Sequence, residues 1–214
     1  MNDSPKQKGL RKKLVLELIK KGIKDENVLK AINLIPRHFF LDLDFENFAY
    51  VDKAYPIGFN QTISQPYTVA FQTEALEVKK GDKILEIGSG SGYQSAILVS
   101  MKAQVYSIER IYNLYRRSKK TLKSINLMPK KLLWNDGYLG LIDDAPFDKI
   151  LFAAACKEIP VKVLKQLKIG GKMIVPIGNE KNQIMNLIIR LSENKIKKID
   201  MGNFLFVPML KNKI

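Results

Sequence analysis

The chain has 214 residues, 46% of them hydrophobic and 27% charged, with a formal net charge of +15 and one cysteine, Cys156. That is enough for one sizeable α/β core with additions, while a lone cysteine excludes an intramolecular disulfide and a multi-cysteine metal site and fits a reducing cytoplasm. The longest apolar run, Ile150 to Cys156, is far too short to span a bilayer.

Residues 1–8 read as disordered, and Met1 to Lys13 lacks the apolar core of a secretory signal. From Gly9, the positions Leu10, Leu14, Val15, Leu18 and Ile19 recur at helical spacing until Gly22. Asp25 caps a second helix carrying Val28, Leu29 and Ile32, and Pro36 stops it. Residues 9–54 are thus a helical N-terminal extension, in which His38, beside Phe39 and Phe40, reads as structural. Residues 55–67 break every periodicity with two prolines, three side-chain amides and two hydroxyls, the composition of a loop rich in hydrogen-bonding groups. Pro66 marks the next helix start, with Val69, Ala70, Phe71, Ala75 and Leu76 on its inner face.

The core, residues 80–214, opens on Ile84 to Ile87, a buried strand broken by Glu86, followed by Gly88, Gly90 and Gly92 and then a helix with Ala96, Ile97, Val99 and Met101. A dinucleotide fingerprint needs a third glycine where Tyr93 stands. The G-x-G-x-G form suits a ligand without phosphate. Glu109 closes the next strand, Gln104 to Ile108, where a carboxylate accepts both hydroxyls of a ribose. A ribose diol without phosphate points to S-adenosyl-L-methionine. A serine-hydrolase elbow fits poorly, because Ile87 stands where the glycine before Ser89 belongs. The pattern continues with a helix from Tyr112 to Ile125, a strand from Leu132 to Trp134 and then Asn135-Asp136-Gly137. Asp136 is either an acceptor for an adenine amino group or only part of a turn. A fourth strand, Lys149 to Ala154, precedes a helix with Val161, Leu164 and Leu167; a fifth spans Met173 to Ile177; Ile184 to Leu191 and Ile196 to Val207 form a hairpin. The lysines are scattered over almost every segment, so the charge reads as solvated helix faces rather than a nucleic-acid or membrane site.

The stretches Pro56-Ile57-Gly58, Gln61 to Tyr67 and Leu85 to Gln94 closely resemble the protein-L-isoaspartate O-methyltransferase family. Pro36-Arg37, Glu109-Arg110-Ile111, Asp136-Gly137, Ala145 to Asp148, Gly170-Gly171, Pro176 to Gly178 and Phe206 to Pro208 match in the same order over nearly the whole chain. The resemblance implies one Rossmann-like, doubly wound α/β domain with a mostly parallel seven-stranded sheet, a helical N-terminal extension and a C-terminal β-hairpin. It implies a cytoplasmic, monomeric repair enzyme that methylates the α-carboxylate of isoaspartyl residues in proteins and peptides, releasing S-adenosyl-L-homocysteine, with no nucleic-acid, membrane or metal partner. The family's active-site serine maps onto Ser64. Cofactor contacts map onto Ile63, Gln65, Pro66, Tyr67, Glu86, Gly88, Gly90, Glu109, Asp136 and Gly137, and substrate contacts onto Ile57, Gly58, Thr62, Ser64 and Val207. Asn60, Asn135, Cys156 and Leu205 depart from the family pattern without removing a proposed chemical group. Two rivals remain: an RNA or small-molecule methyltransferase, and a nucleic-acid binding module that keeps the glycine loop as scaffold.

Overall fold

The computed structural model describes residues 2–214. It opens on α1 (Pro5–Lys20) and α2 (Glu26–Leu34). Ser4 Oγ accepts from Gln7 N at 3.2 Å, and Pro5 occupies a first-turn position that needs no N–H. Asp25 caps α2 through the amides of Asn27 and Val28. Residues 5–8, expected to be disordered, are helical. The helix begins at Pro5, and Asp3 pairs with Arg11 at 2.9 Å, so a cap and an ion pair order a segment that shows no apolar periodicity. Met1 lies outside the described residues.

Two short 3-10 turns, Arg37–Phe40 and Leu43–Phe48, lead into residues 55–67. Expected as an irregular loop, this stretch contains an antiparallel hairpin, β1 (Tyr55–Gly58) and β2 (Gln61–Ile63). Phe59 and Asn60 both take positive φ, at 54° and 55°. That is the backbone of a tight two-residue hairpin turn, and asparagine tolerates it far better than phenylalanine. Strands of four and three residues are too short to show alternation, which is why the sequence hid them.

The core then alternates: α3 (Pro66–Ala75), β3 (Lys83–Ile87), α4 (Tyr93–Ser100), β4 (Gln104–Glu109), α5 (Tyr112–Ser124), β5 (Lys131–Trp134), β6 (Phe147–Phe152), α6 (Val161–Leu164), β7 (Leu167–Gly178), β8 (Gln183–Arg190) and β9 (Ile196–Phe204). The helix expected to reach Leu167 is a single turn, because Leu167 already pairs with Phe147 as the start of β7. The seven-stranded sheet runs β5-β4-β3-β6-β7-β8-β9. Its first five strands are parallel, and β8 and β9 add antiparallel.

Central strands β3 and β6 are covered on both faces, which accounts for their nearly unbroken apolar runs. Leu85, Ile87, Ile150 and Phe152 pack into one cluster, and Ile84 and Leu151 into another. The N-terminal extension joins the core through Leu14, Leu18, Val28 and Ile32, which share a cluster with Ala96 and Ile97 of α4 and with Leu114 and Leu122 of α5. From β3 the chain proceeds outward through β4 and β5, then returns to lay β6 on the other side of β3. The strand order therefore reverses between β3 and β6, and a crevice opens beyond their carboxyl ends. Among the described residues, no helix is long and apolar enough to cross a membrane.

Candidate active site

The crevice is an open cleft, about 780 Å³ with its mouth included. Its floor is the turn after β3, Gly88 to Ser91. Ala153 and Ala154, beyond β6, supply a wall of small side chains. The remaining walls come from Gln61 to Ser64 of the hairpin, Glu109 and Arg110 after β4, Gly137, and Val207 to Leu210. Close packing holds two glycines in place. A Cβ on Gly137 would lie 2.5 Å from Ile87 Cγ2, and one on Gly92, at φ +90°, would lie 3.0 Å from Leu122 Cδ1.

Four amides at the turn are already occupied. Gly88 N and Ser89 N donate to Ile108 O at 2.9 and 3.1 Å, Gly92 N donates to Ser89 O at 2.7 Å, and Gly90 N donates to Glu109 Oε2 at 2.8 Å. A pyrophosphate needs such amides free, so this turn fits a phosphate-free nucleoside. Glu109 is also held by Ile111 N, which donates to Oε1 at 2.8 Å. Burial pushes its carboxyl pKa up, and these amides pull the other way. Each carboxylate oxygen keeps a further lone pair for a hydroxyl donor. Ser89 Oγ and Gln94 Oε1, both buried on residues lining the cleft, have no protein partner.

A second, wider groove adjoins the cleft, lined by Gln65, Tyr67 and Phe71 on one side and by Asn182, Gln183 and residues 201–207 on the other. The Tyr67 and Phe204 rings lie parallel, within 3°, with centroids 6.5 Å apart. Thr62, Ser64, Ala153 and Val207 line both cavities, so Ser64 stands on the wall between them. Of the residues lining the cleft none is histidine, lysine, aspartate or cysteine. Cys156 is buried away from it, and burial pushes its thiol pKa up to about 12.

Of the residues singled out in the sequence, the cleft gathers Thr62, Ile63, Ser64, Gly88, Gly90, Glu109, Gly137 and Val207, and the groove adds Gln65 and Tyr67. Five others lie on neither surface. Pro66 is the buried first residue of α3. Ile57 is buried, with its Cδ1 3.3 Å from where a Gly90 Cβ would be, while Gly58 is at the exposed hairpin turn. Asp136 Oδ1 accepts from Tyr138 N and Oδ2 from Asn212 N, both at 2.8 Å. Glu86 is fully buried beneath the turn, where it accepts from Ser95 Oγ and, at 2.7 Å, from Ser107 Oγ. Burial raises its carboxyl pKa to about 7, against the pull of the two hydroxyls. Sequence reasoning passed over Ser89 and Gln94. They lie within the quoted glycine stretch, but only the fold shows their polar atoms unpaired.

Residues 9–214 match the profile of a family described as Protein-L-isoaspartate(D-aspartate) O-methyltransferase. A Protein-L-isoaspartate O-methyltransferase from Flavobacterium psychrophilum is 54% identical over 213 residues, covering 100% of both chains. A solved protein-L-isoaspartate O-methyltransferase superposes with a TM-score of 0.85 at 30% identity, over 94% of this chain and 66% of that one. A Plasmodium falciparum structure in complex with S-adenosyl-L-homocysteine has a TM-score of 0.84 at 24% identity, over 94% of this chain and 99% of that one.

Proposed function

Because the chain belongs to the protein-L-isoaspartate(D-aspartate) O-methyltransferase family, we propose a division of labour among its residues. The enzyme transfers a methyl group from S-adenosyl-L-methionine to the α-carboxylate of L-isoaspartyl residues in damaged proteins and peptides. The cosubstrate supplies an electrophilic methyl group on a sulfonium. The residues of the cleft suit its phosphate-free nucleoside. Glu109 accepts from the ribose hydroxyls, Gly88 and Gly90 let the backbone approach, and Gly137, packed on Ile87 and Met209, keeps the cleft wall close. Ser89 Oγ and Gln94 Oε1 meet the amino-acid end. Ile63 closes the cleft from the hairpin side. Glu86 and Asp136 act from behind this surface, the first by fixing α4 beneath the turn and the second by holding residues 136–138 and 212 together.

The acceptor carboxylate needs no base, because carboxyl groups ionise near pH 4. Charge is neutralised as the methyl group moves, so no oxyanion has to be stabilised. The protein's contribution is alignment in a site shielded from water, a regime in which positioning supplies roughly 7–11 kcal/mol. Ser64 Oγ–H donates to the acceptor carboxylate and aims it at the methyl carbon. The peptide lies extended in the groove, gripped through its backbone by Thr62 and Val207, with Ile57 and Gly58 shaping the hairpin from behind. The observation that carries this reading is the place of Ser64 on the wall shared by the glycine-turn cleft and the adjoining groove.

The finer reading is a cytoplasmic monomer without nucleic-acid or membrane partners. It is supported by the scatter of the lysines behind the +15 charge and by the single reduced cysteine. Labelled S-adenosyl-L-methionine tests the chemistry. An isoaspartyl peptide should acquire base-labile label and the matching aspartyl peptide none; equal labelling of both sinks the assignment.

A further inference from the structure

Ser64 is held from both sides, and one of the restraints comes from a residue outside the cleft and the groove. On its amino side, β2 pairs with β1 and ends at the buried Ile63. On its carboxyl side, α3 begins with Gln65 as N-cap, but that side chain makes no capping bond. Pro66 follows and carries no N–H, so Tyr67 N is the first free donor of the helix. Asp52 accepts it: Tyr67 N donates to Asp52 Oδ1 at 2.7 Å. Gln65 Nε2 donates to Asp52 Oδ2 at 2.9 Å and to Asp52 O at 3.1 Å. The helix is therefore capped by a carboxylate from the far side of the hairpin, in place of a local side chain.

The Asp52 side chain is 2% exposed, and Lys21 Nζ lies 2.6 Å from Oδ2. A buried carboxylate is costly unless each oxygen is paired, and both are. The backbone around it is tied as well, since Arg37 Nη2 donates to Lys53 O at 3.3 Å. Asp52 stands three residues before β1, and two of its partners, Gln65 and Tyr67, follow Ser64 within three residues. It closes the base of the hairpin into a ring that contains Ser64.

We propose that Asp52 is a positioning residue for methyl transfer: its carboxylate sets the Ser64 backbone against the cleft by capping α3 across the hairpin. This rests on the orienting role of Ser64. Asp52 makes two kinds of contact that can be separated. The Lys21 ion pair serves stability, because Lys21 touches nothing at the Ser64 segment. The bonds to Gln65 and Tyr67 serve position.

The test is steady-state kinetics on the full chain with an isoaspartyl peptide, alongside S-adenosyl-L-homocysteine binding and thermal melting. Asp52→Asn turns an acceptor oxygen into an NH₂ group facing Gln65 and Lys21. It is expected to lower kcat about 100-fold while peptide KM and S-adenosyl-L-homocysteine Kd move less than about threefold, since a misplacement near 1 Å costs that much in rate. Lys21→Met is expected to lower the melting temperature and leave kcat unchanged. Gln65→Met, which keeps the Tyr67 cap, should fall between them, near a tenfold loss. It serves as the decisive variant if Asp52→Asn does not fold.

Asp52→Asn with wild-type kcat, or Lys21→Met with the same kinetic loss as Asp52→Asn, overturns the inference. So does a Gln65→Met enzyme at full rate when Asp52→Asn is unfolded. Ser64→Ala run in parallel separates the two levels. If it too turns over at the wild-type rate, the reading of Ser64 fails; if it is impaired while Asp52→Asn is not, only the inference fails.

Discussion

Ser64 stands on a wall whose cleft side carries no histidine, lysine, aspartate or cysteine, and that bears on what it does. A serine nucleophile needs a partner to take its proton, and the residues lining the cleft offer no histidine, lysine or aspartate. A hydroxyl donor needs none. Ser64→Ala is therefore expected to lower kcat by roughly 10- to 100-fold with S-adenosyl-L-homocysteine affinity nearly intact, measured by methyl transfer and calorimetry; wild-type turnover would refute the role. Glu86 permits a second prediction at this scale. Its carboxyl has an ordinary pKa of 4.5 and is raised to about 7 in the fold by burial. Between those values the native state binds more protons than the unfolded chain, so this group makes stability fall as pH rises from 4.5 to 7. Above pH 7 the cost is complete, at roughly 3 kcal/mol. Glu86→Gln keeps an acceptor for Ser95 and Ser107 and removes the titration. Its melting temperature relative to wild type should rise from pH 5 to pH 8, and a difference that is flat with pH would sink the claim. Glu86 was legible in the sequence as an acid in a buried strand, but its place beneath the turn was not. Strand alternation sends residue 86 to the α4 side, and only the register that sets it opposite Ser107 shows what it meets there.

At the scale of elements, the glycine turn was the most legible part and the hairpin the least. A strand, three alternate glycines and a helix leave few backbone solutions. Gly92 shows why: it is the N-cap of α4 at φ +90°, packed on Leu122 and Ser118 of α5. Gly92→Ala meets backbone strain and a crowded neighbour together, and should cost about 1–3 kcal/mol in denaturant unfolding; an unchanged midpoint would show that α5 gives way freely. Residues 55–67 carried no such signal. Their strands are set by a pairing between Tyr55 and Ile63 and by a cap from Asp52, contacts that arise only when the segments meet. The same holds for α3: Pro66 marked its start in the sequence, but its first free amide is satisfied from across the hairpin. The end of α6 failed for a related reason. Leu167 continues a helical apolar spacing, yet gains more as the first residue of β7, where it is completely buried against β6.

At the scale of the whole molecule, the binding site exists because the strand order reverses between β3 and β6. Ligand binding there should stabilise the native state as a unit. S-Adenosyl-L-homocysteine at about 100 times its dissociation constant adds about 2.7 kcal/mol, a rise of roughly 5–10 °C in melting temperature for a domain of this size. A nicotinamide dinucleotide should produce no shift, because the amides of Gly88, Ser89, Gly90 and Gly92 are bonded to Ile108, Ser89 and Glu109. Equal shifts from both ligands would contradict the fit to a phosphate-free nucleoside. The charge of +15 belongs to this scale too. With the lysines scattered along the sequence, methyl transfer to peptides is expected to be largely insensitive to moderate salt, measured as rate against ionic strength.

By itself, the sequence determined the α/β class, the strand-turn-helix at Gly88 to Gly92, the carboxylate at Glu109 and the family. These depend on local periodicity, on backbone freedom at single residues and on motif order, all written along the chain. The tertiary structure alone decided that the amides of Gly88, Ser89, Gly90 and Gly92 are spent, that Glu86 and Asp136 do not line the cleft, that Ser89 Oγ and Gln94 Oε1 are buried without a partner, and that Asp52 caps the helix after Ser64. Each of those facts is a pairing between groups far apart in the chain. Hydrogen-bond partners and burial are properties of the packed fold, and no single stretch of residues encodes them.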